Sequence, residues 1–400
     1  MSSFRSSCCW FCLTIMTPFA LSMCGSSVAT AAERPNILFI MADDHCQAAI
    51  SAYGSKVMQT PNLDRIANEG MRFDRAVVTN ALCGPSRAVL ITGKYNHMNG
   101  FCRNNALFDG KQQTFPKLLQ KAGYETAIVG KWHLQTQPTG FDYYSVIPDQ
   151  GRFYDCRMKE TGAPWENGRR GGVVQKGYLT DVITDKAIGW LKQRETDKPF
   201  MLMVHHKAPH NPHQPAPRHK NLFADKKFPE PPTLLDDYKG RVPELMADDL
   251  IFSRLLICHY REYKKELEEA QKMNRADGTR LMYQTFMRGY TRLIATLDED
   301  IGRLLDHLDK SGLSDNTIVI YVSDNGFFTG EHGFFNKMFM YEPSLQIPLM
   351  VRWPGKVKPG SVNENDLVSM LDVAPLLLDA AGAPIPADMQ GRSFKPLLSG

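Results

Sequence analysis

Short apolar runs and amphipathic segments alternate along most of the chain. The run NILFIMADD, residues 36–44, is apolar until two carboxylates end it, which is typical of a strand buried on both faces of a sheet. Further runs of this kind are YETAIVGKWH, PFMLMVHHKAPH, NTIVIYVSDNG and IPLMVRW. Helical patterns lie between them in TPNLDRIANEGMRF, TFPKLLQKAG, LTDVITDKAIGWLKQ, RLIATLDEDIGRLLDHLDKSG and LDVAPLLLDAAG. This alternation predicts an α/β fold, with a mostly parallel central sheet flanked by helices on both faces.

One segment, at about residues 212–276, interrupts the alternation. It is richer in Pro, Lys, Glu and Asp than its surroundings, and it contains one helical stretch, EYKKELEEAQK. We predict a loop and helix inserted into the main domain, forming a solvated flap rather than part of the core.

The first 32 residues have the pattern of a secretory signal peptide. They contain one early basic residue, an apolar core at residues 10–23 and the small residues VATAA. A transmembrane anchor is the alternative, but the apolar core is shorter than the about 20 residues that a span needs. A lipoprotein cysteine at Cys24 is a weaker alternative, because Met23 before it fits poorly. We therefore expect a secreted or periplasmic protein without a stable membrane span, in which residues 33–400 form one large domain.

Composition and cysteine count narrow the function classes. The 400 residues carry a formal net charge of +4 without a basic block, which argues against a dedicated nucleic-acid binder. Of nine cysteines, four lie in the predicted leader, and the other five show no CxxC pattern that would indicate a zinc site. An odd number leaves at least one cysteine outside any intramolecular disulfide. Cys83, in TNALCGPSRAVLITGKY, is the candidate.

Four of the apolar runs end in polar side chains. The four clusters are Asp43, Asp44 and His45; Lys131 and His133; His205, His206 and His210; and Asp324 and Asn325. Because ligands bind outside the carboxyl ends of strands in open α/β sheets, four neighbouring strands would bring these groups to one crevice. Each cluster alone has a structural alternative, such as a turn or helix cap for the acid pair and for SDNG. The joint arrangement favours a functional site.

The side chains of these clusters form a coherent chemical set. Hard oxygen ligands suited to Ca²⁺ or Mg²⁺ are offered by Asp43, Asp44, Asp324 and Asn325. Positive charge and proton donors are offered by Arg87, Lys131, His133 and His210. A divalent cation among such groups indicates a site for an oxyanion such as a sulfate or phosphate ester.

Cys83 fits this set only in an altered form. As a thiolate it would be a nucleophile whose pKa the start of a helix would lower. A soft thiolate is nevertheless a poor match for a hard cation and carboxylates. Conversion of Cys83 to an oxygen-based group would remove the mismatch.

At this point the sequence resembles a known family, the type I (formylglycine-dependent) sulfatases. CGPSR, residues 83–87, resembles their C-x-P-S-R signature, and TGKY follows as that signature usually continues. The likeness runs from NILFIMADD to GRSFKPLL and includes GKWHL, HHKAPH, VSDNG, GEHGFFNK and IPLMVRWPG. It implies an alkaline-phosphatase/sulfatase-like fold and oxidation of Cys83 to Cα-formylglycine by a formylglycine-generating enzyme or equivalent maturase. The chain also ends where family members usually continue into a smaller C-terminal subdomain, which we expect to be largely absent.

The resemblance also implies roles for individual residues. Calcium, with Mg²⁺ less favoured, would be bound by Asp43, Asp44, Asp324, Asn325 and the modified Cys83. Arg87 would hold the formylglycine hydrate, and His133 would lie next to it. The sulfate oxygens would be bound by Lys131 and Lys337, with His210 near the leaving oxygen.

The stretches GFDYYSVIPDQGRFYD and GEHGFFNKMFMYEPSLQIP resemble carbohydrate sulfatases, in particular those acting on 6-sulfated N-acetylglucosamine. A sulfated carbohydrate is therefore the expected substrate, and glycan degradation the expected role. The residues expected to stack on the sugar or bind its polar groups are Tyr143, Tyr144, Phe153, Tyr154, Gln150 and Arg152. Packing of these aromatic rings in the core is the alternative.

Three other functions remain open from the sequence. A phosphonate monoester or phosphodiester hydrolase of the same superfamily can share the CxPxR site. A glycan-binding protein without activity would leave Cys83 unmodified. A thiol-dependent hydrolase would use Cys83 directly, without calcium.

Overall fold

The computed structural model describes residues 34–195, 197–241, 251 and 260–399. The predicted leader, residues 1–32, and Cys258 lie outside this part of the chain. Among the described residues, no helix combines the length and apolar character needed to cross a bilayer.

Strands and helices alternate through the described residues. The strands are β1 (Asn36–Asp43), β2 (Met71–Phe73), β3 (Ala76–Val77), β4 (Glu125–Lys131), β5 (Tyr143–Ile147), β6 (Arg157–Glu160), β7 (Val173–Val174), β8 (Phe200–Pro209), β9 (Thr317–Ser323), β10 (Phe328–Thr329), β11 (Phe335–Asn336), β12 (Leu349–Arg352), β13 (Ser361–Asn363) and β14 (Val368–Ser369). The α-helices are α1 (Pro61–Asn68), α2 (Cys83–Thr92), α3 (Asn96–Asn99), α4 (Phe115–Lys121), α5 (Leu179–Gln193), α6 (Lys264–Ala270), α7 (Arg275–Lys310), α8 (Glu342–Leu345) and α9 (Val373–Ala380).

A ten-stranded sheet has the order β13-β2-β12-β9-β1-β8-β4-β5-β6-β7. Its five central strands, β9, β1, β8, β4 and β5, are parallel to one another. The predicted α/β fold is thereby confirmed. The run IPLMVRW forms β12, which is antiparallel to both β9 and β2, so the parallel part of the sheet ends there.

Strand β1 shows why its sequence is continuously apolar. Ile37, Phe39 and Met41 belong to a core that also contains side chains of α2, α4 and α9. Leu38, Ile40 and Ala42 point to the opposite core, which contains side chains of α1, α5 and α7. Because helices cover both faces, every position of the strand is buried.

The predicted helix TPNLDRIANEGMRF is shorter than its pattern. Helix α1 ends at Asn68, and residues 71–73 form β2 instead. Gly70 lies between them, where a Cβ atom would lie 2.3 Å from the backbone oxygen of Val351. This close approach to β12 requires glycine and separates the helix from the strand.

The predicted flap at residues 212–276 is mostly exposed in its described part, but several of its side chains are buried. Tyr260, Tyr263 and Leu267 are buried against α7, and His213 lies among aromatic rings of the same cluster. Although this segment is polar on average, its few apolar side chains pack on a patch of α7 that the sheet does not cover.

Candidate active site

Four strand ends meet at one edge of the sheet. Strands β9, β1, β8 and β4 are consecutive neighbours, so the predicted convergence of their carboxyl-terminal clusters is confirmed. At the end of β1 the pairing with β8 shifts register between Met41 and Asp43, and Asp44 has a left-handed φ of 69°. This irregular backbone brings both adjacent carboxylates to the same cluster.

A buried cluster of possible metal ligands occupies this edge. One ligand atom each from Asp43, Asp44, Cys83 and Asp324 lies within 4.8 Å of the others. Asp43 Oδ1 and Asn325 Oδ1 are buried and have no hydrogen-bond partner within the described part of the chain. Asn325 Nδ2 donates to Asp44 Oδ1 at 2.7 Å, so the amide lies beside the carboxylates. Converging hard oxygens with unused lone pairs fit a divalent cation such as Ca²⁺.

The carboxylates of this cluster have strongly shifted pKa values. Burial and the neighbouring Asp43 raise the pKa of Asp324 to about 7. Burial also raises the pKa of Asp44 above its usual value. For Asp43 burial acts in the same direction, but the charges of Lys131 and other cations hold its pKa well below the usual range. Ionising all three buried carboxylates together therefore costs free energy, through desolvation and mutual repulsion. A bound cation would offset this cost.

Helix α2 presents Cys83 and Arg87 to the cluster. The helix begins at Cys83, and Arg87 lies one turn later on the same side. Arg87 donates from Nε and Nη2 to Asp324 Oδ2, at 3.0 and 2.8 Å, and from Nη1 to the backbone oxygen of Lys131 at 2.6 Å. This buried guanidinium joins α2, β4 and the end of β9 in a fixed geometry.

The expectation that the helix start lowers the pKa of the Cys83 thiol is wrong. Burial raises the pKa of this thiol strongly, against the charges of Lys131 and Lys337. Desolvation is the dominant influence, and the unmodified side chain is a neutral thiol at physiological pH.

Two buried lysines face the carboxylates. Lys131, the last residue of β4, forms an ion pair with Asp43 and donates to Gln150 Oε1 at 2.7 Å. Lys337 Nζ, just beyond β11, lies 2.5 Å from Asp44 Oδ1 and 2.6 Å from Asp44 Oδ2. Both are point charges on flexible stems, so each can turn towards another anion when one is present.

Two histidines complete the site. His133 Nε2 lies 3.2 Å from Asp149 Oδ1, and burial together with Lys131 lowers the pKa of His133 to about 4. His210 Nε2 lies 3.7 Å from Asp44 Oδ2, and its Nδ1 lies 2.8 Å from the backbone oxygen of Asn211, to which it donates. Burial lowers the pKa of His210 well below its usual value, although Asp43 acts in the opposite direction. Both rings are therefore neutral at pH 7 in this arrangement.

The other histidines of the predicted clusters lie away from the carboxylates. His205 Nδ1 lies 3.1 Å from the backbone oxygen of Lys131 and 3.2 Å from Arg87 Nη1, behind the ligand cluster. His45 Nδ1 lies 2.5 Å from the Tyr321 hydroxyl, inside the core. Only His210 of the HHKAPH stretch reaches the carboxylates.

Sequence reasoning left three contacting residues out of the predicted catalytic set. Asp149 lies beside His133, and Gln150, which was expected to bind the sugar, instead accepts from Lys131. Lys207 Nζ donates to the backbone oxygen of Asn211 at 2.6 Å and lies 3.4 Å from His210 Nδ1. Burial lowers the pKa of Lys207 to about 8. The turn sequence VIPDQG and the lysine inside HHKAPH were the available signals.

The aromatic residues expected to stack on a sugar divide into two groups. Tyr144 and Phe153 are only 3% and 0% exposed, and Phe153 stacks on Tyr178. These two belong to the core, so the stacking expectation is wrong for them. Tyr143 is half-buried, and Tyr154 is 41% exposed with its hydroxyl donating to the backbone oxygen of Pro215.

Comparison with known proteins identifies the family. A family profile described as Sulfatase matches residues 35–383. The chain belongs to the sulfatase family. This sulfatase is 44% identical to an N-acetylglucosamine-6-O-sulfatase of Bacteroides thetaiotaomicron, over 96% of its own length and 75% of that relative. It is 27% identical to an ulvan-active sulfatase of Formosa agariphila, over 96% of its length and 70% of that protein.

A solved structure is similar over most of the fold. That protein was solved in complex with its own substrate, D-glucosamine-2-N,6-O-disulfate. The TM-score is 0.85 at 43% sequence identity, over 92% of this sulfatase and 81% of that chain. Together with the family match, these similarities make the chain a sulfuric ester hydrolase with the expected sulfatase fold.

Proposed function

We propose that this sulfatase hydrolyses a sulfate ester on a glycan, with 6-O-sulfated N-acetylglucosamine as the specific substrate. The observation that carries the proposal is the buried cluster of Asp43, Asp44, Cys83 and Asp324, faced by Lys131 and Lys337. The choice of sugar is supported by the relative named an N-acetylglucosamine-6-O-sulfatase and by the 6-O-sulfate of the substrate bound in the similar structure.

The active form would carry two groups that the sulfatase family generally uses, Ca²⁺ and formylglycine made from cysteine. Calcium would be held by Asp43, Asp44, Asp324, Asn325 and the modified side chain at position 83. When bound, the cation supplies positive charge for the sulfate oxygens. The unused oxygen atoms of Asp43 and Asn325 support this ligand set.

The lysines and the arginine would bind and orient the reacting groups. Once a cation neutralises Asp43 and Asp44, Lys131 and Lys337 can turn towards sulfate oxygens and withdraw negative charge from the sulfur. Arg87 would hold the hydrated aldehyde at position 83 in line with the ester bond, because Asp324 and the backbone of residue 131 fix its guanidinium.

The two histidines would move protons. His133 is neutral at physiological pH and lies beside the Asp149 carboxylate, so it is suited to accept a proton from the hydrate. His210 would donate a proton to the departing sugar oxygen. Because burial lowers its pKa, His210 requires the negative charge of the bound ester to hold that proton.

The protein would work outside the cytoplasm. Its first 32 residues have the signal-peptide pattern, and a glycan polymer is an extracellular substrate. Activity there would also require maturation of Cys83 by a formylglycine-generating enzyme or equivalent maturase.

The test is substrate turnover by protein whose modification at position 83 has been measured. Mass spectrometry of the peptide spanning Cys83 gives the formylglycine content, and Cys83→Ala is the matched inactive control. Sulfate release should be greatest for 6-O-sulfated N-acetylglucosamine among positional isomers. A strong preference for a phosphodiester, or an absence of sulfate release by fully modified protein, would overturn the proposal.

A further inference from the structure

A cleft of about 550 Å³ opens beside the candidate active site. It lies between the loop that follows β5 and the region of β6 and β7. Asp149 and Gln150 line the cleft on one side, and their side chains also contact His133 and Lys131. The cleft and the catalytic crevice therefore share a wall made by two consecutive residues.

Three exposed arginines line this cleft: Arg152, Arg157 and Arg169. Among the described residues, the Arg152 guanidinium has no hydrogen-bond or ion-pair partner. Arg157 also lines the cleft, and its Nη1 donates to the backbone oxygen of Gly172 at 2.9 Å. These arginines give the cleft several N–H donors and a positive charge.

The two carboxylates that line the cleft do not cancel this charge. The charge of Asp149 is matched by Arg169, and its contacts with His133 and Arg169 keep its pKa below the usual value against the effect of burial. Asp155 is paired with Lys176 at 3.1 Å and accepts from the backbone N–H of Gly177. Arg152 and Arg157 remain the uncompensated cations.

We infer that this cleft binds a second anionic group of the glycan while the reacting sulfate ester lies against Lys131. The inference rests on the proposed function and extends it to the substrate class: a multiply charged sulfated saccharide. The second group is a sulfate or a carboxylate, because a guanidinium fork matches either oxyanion through paired hydrogen bonds. Asp149 and Gln150 line the cleft and also contact His133 and Lys131. A second anionic group bound in the cleft would therefore lie close to the reacting ester.

The test compares Arg152→Gln with Arg170→Gln. Arg170 is also exposed and next to Arg169, but it does not line the cleft, so it controls for a lost surface charge. The substrates are 6-O-sulfated N-acetylglucosamine, D-glucosamine-2-N,6-O-disulfate, and 6-O-sulfated N-acetylglucosamine linked to a hexuronic acid. The second substrate carries an additional sulfate and the third an additional carboxylate. Comparing these two substrates shows which of the two anionic groups the cleft binds.

Arg152→Gln should raise KM for at least one doubly charged substrate on the order of tenfold, as expected for one lost charge-assisted contact. The change for the monosulfated sugar should be much smaller, and kcat should be retained. Arg170→Gln should show no selectivity between the substrates. Equal changes for all three substrates, or none, would overturn the inference.

Binding measurements separate the cleft from the chemistry. Calorimetric titration of the same saccharides into Cys83→Ala and Cys83→Ala/Arg152→Gln proteins reports binding without turnover. A selective loss of affinity for a doubly charged saccharide supports the cleft even if wild-type protein releases no sulfate, a result that would count against the proposed function alone. Unaltered affinity overturns the inference about the cleft, and thermal unfolding confirms that each variant is folded.

Discussion

Two clusters of carboxylates in this protein are alike in residue type but differ in the groups that balance their negative charge. The crevice cluster consists of Asp43, Asp44 and Asp324 at the strand ends. The helix cluster consists of Asp181 on α5 and Asp300 on α7. Burial raises the pKa of Asp300 to about 7, as it does that of Asp324.

Arginines form ion pairs with the carboxylates of the helix cluster. Arg218 donates from Nη1 and Nη2 to the two oxygens of Asp181, at 2.9 and 2.7 Å, and Arg303 donates to Asp300 at 2.6 Å. These bidentate and fixed contacts hold two helices and a loop together. In the described residues no third carboxylate, histidine or cysteine converges there as a metal ligand.

Lysines and a thiol face the crevice cluster instead. Among the described residues, buried oxygens without hydrogen-bond partners occur at both places, at Asp43 and the adjoining Asn325 in the crevice and at Asp300 Oδ2 between the helices. The comparison shows that burial and a raised pKa do not distinguish a functional acid from a structural one. The distinguishing features are ligand atoms that converge on one point and lysines that can turn away from the carboxylates.

The largest expected effect separates the two clusters by activity. Asp324→Asn should lower kcat/KM for sulfate release by about 10³-fold, because the variant loses a cation ligand and the anchor of Arg87, together worth several kcal/mol. Asp181→Asn is the matched change in the helix cluster and should leave activity within about threefold. If steady-state assays showed equal losses of kcat/KM for the two variants, the crevice cluster would have no special role in activity.

The next effect compares histidines that lie near the two clusters. His210→Ala should slow hydrolysis of a sugar sulfate by about 10²-fold and of an activated aryl sulfate far less, because a good leaving group needs little protonation. His219, which contacts Glu299 at 3.1 Å beside the helix cluster, supplies the control variant His219→Ala. Equal losses on the sugar and aryl substrates would contradict the role of His210 as proton donor.

Removal of calcium should change the stability of the fold in a way that depends on the crevice cluster and not on the helix cluster. With Ca²⁺ at about 100 times its dissociation constant, binding should stabilise the wild-type fold by about 2.7 kcal/mol, so chelation should lower Tm by several degrees. Asp324→Asn should show little of this shift, whereas Asp181→Asn should keep it. A chelator-induced shift that survives in Asp324→Asn would place the cation elsewhere.

The smallest expected effect is a pH dependence of the helix cluster. Because burial raises the pKa of Asp300 in the folded chain, its contribution to stability is complete below about pH 4 and lost as the pH rises through about 7. The stability of Asp300→Asn relative to wild type should therefore increase over this range, by on the order of 1–3 kcal/mol. Denaturant unfolding at several pH values measures it, and Asp185→Asn, an exposed partner of Arg303, is the control.

If the stability difference between Asp300→Asn and wild type stayed constant from pH 4 to 7, Asp300 would have an ordinary pKa in the folded protein. The two clusters would then differ in electrostatics as well as in their partners, and the resemblance between Asp300 and Asp324 would be lost.

Much of the candidate site was predictable because its residues follow strands. Asp43, Lys131, His210 and Asp324 come directly after or within apolar runs, and parallel strands place their carboxyl ends together. Lys337 has no such signal, and only the resemblance of GEHGFFNK to the family indicated it. The partners Asp149 and Lys207 were not predicted, since their contacts depend on how two irregular loops fold back on the sheet.

The sequence by itself determined the α/β order of elements, the hard-ligand chemistry at the strand ends and the family resemblance carried by CGPSR. Only the tertiary structure decided the protonation of the site. The Cys83 thiol has a raised pKa and His133 a lowered one, each set by burial together with charges from other elements. Desolvation and Coulomb interactions act through space, so residues distant in sequence control them and no local pattern records them.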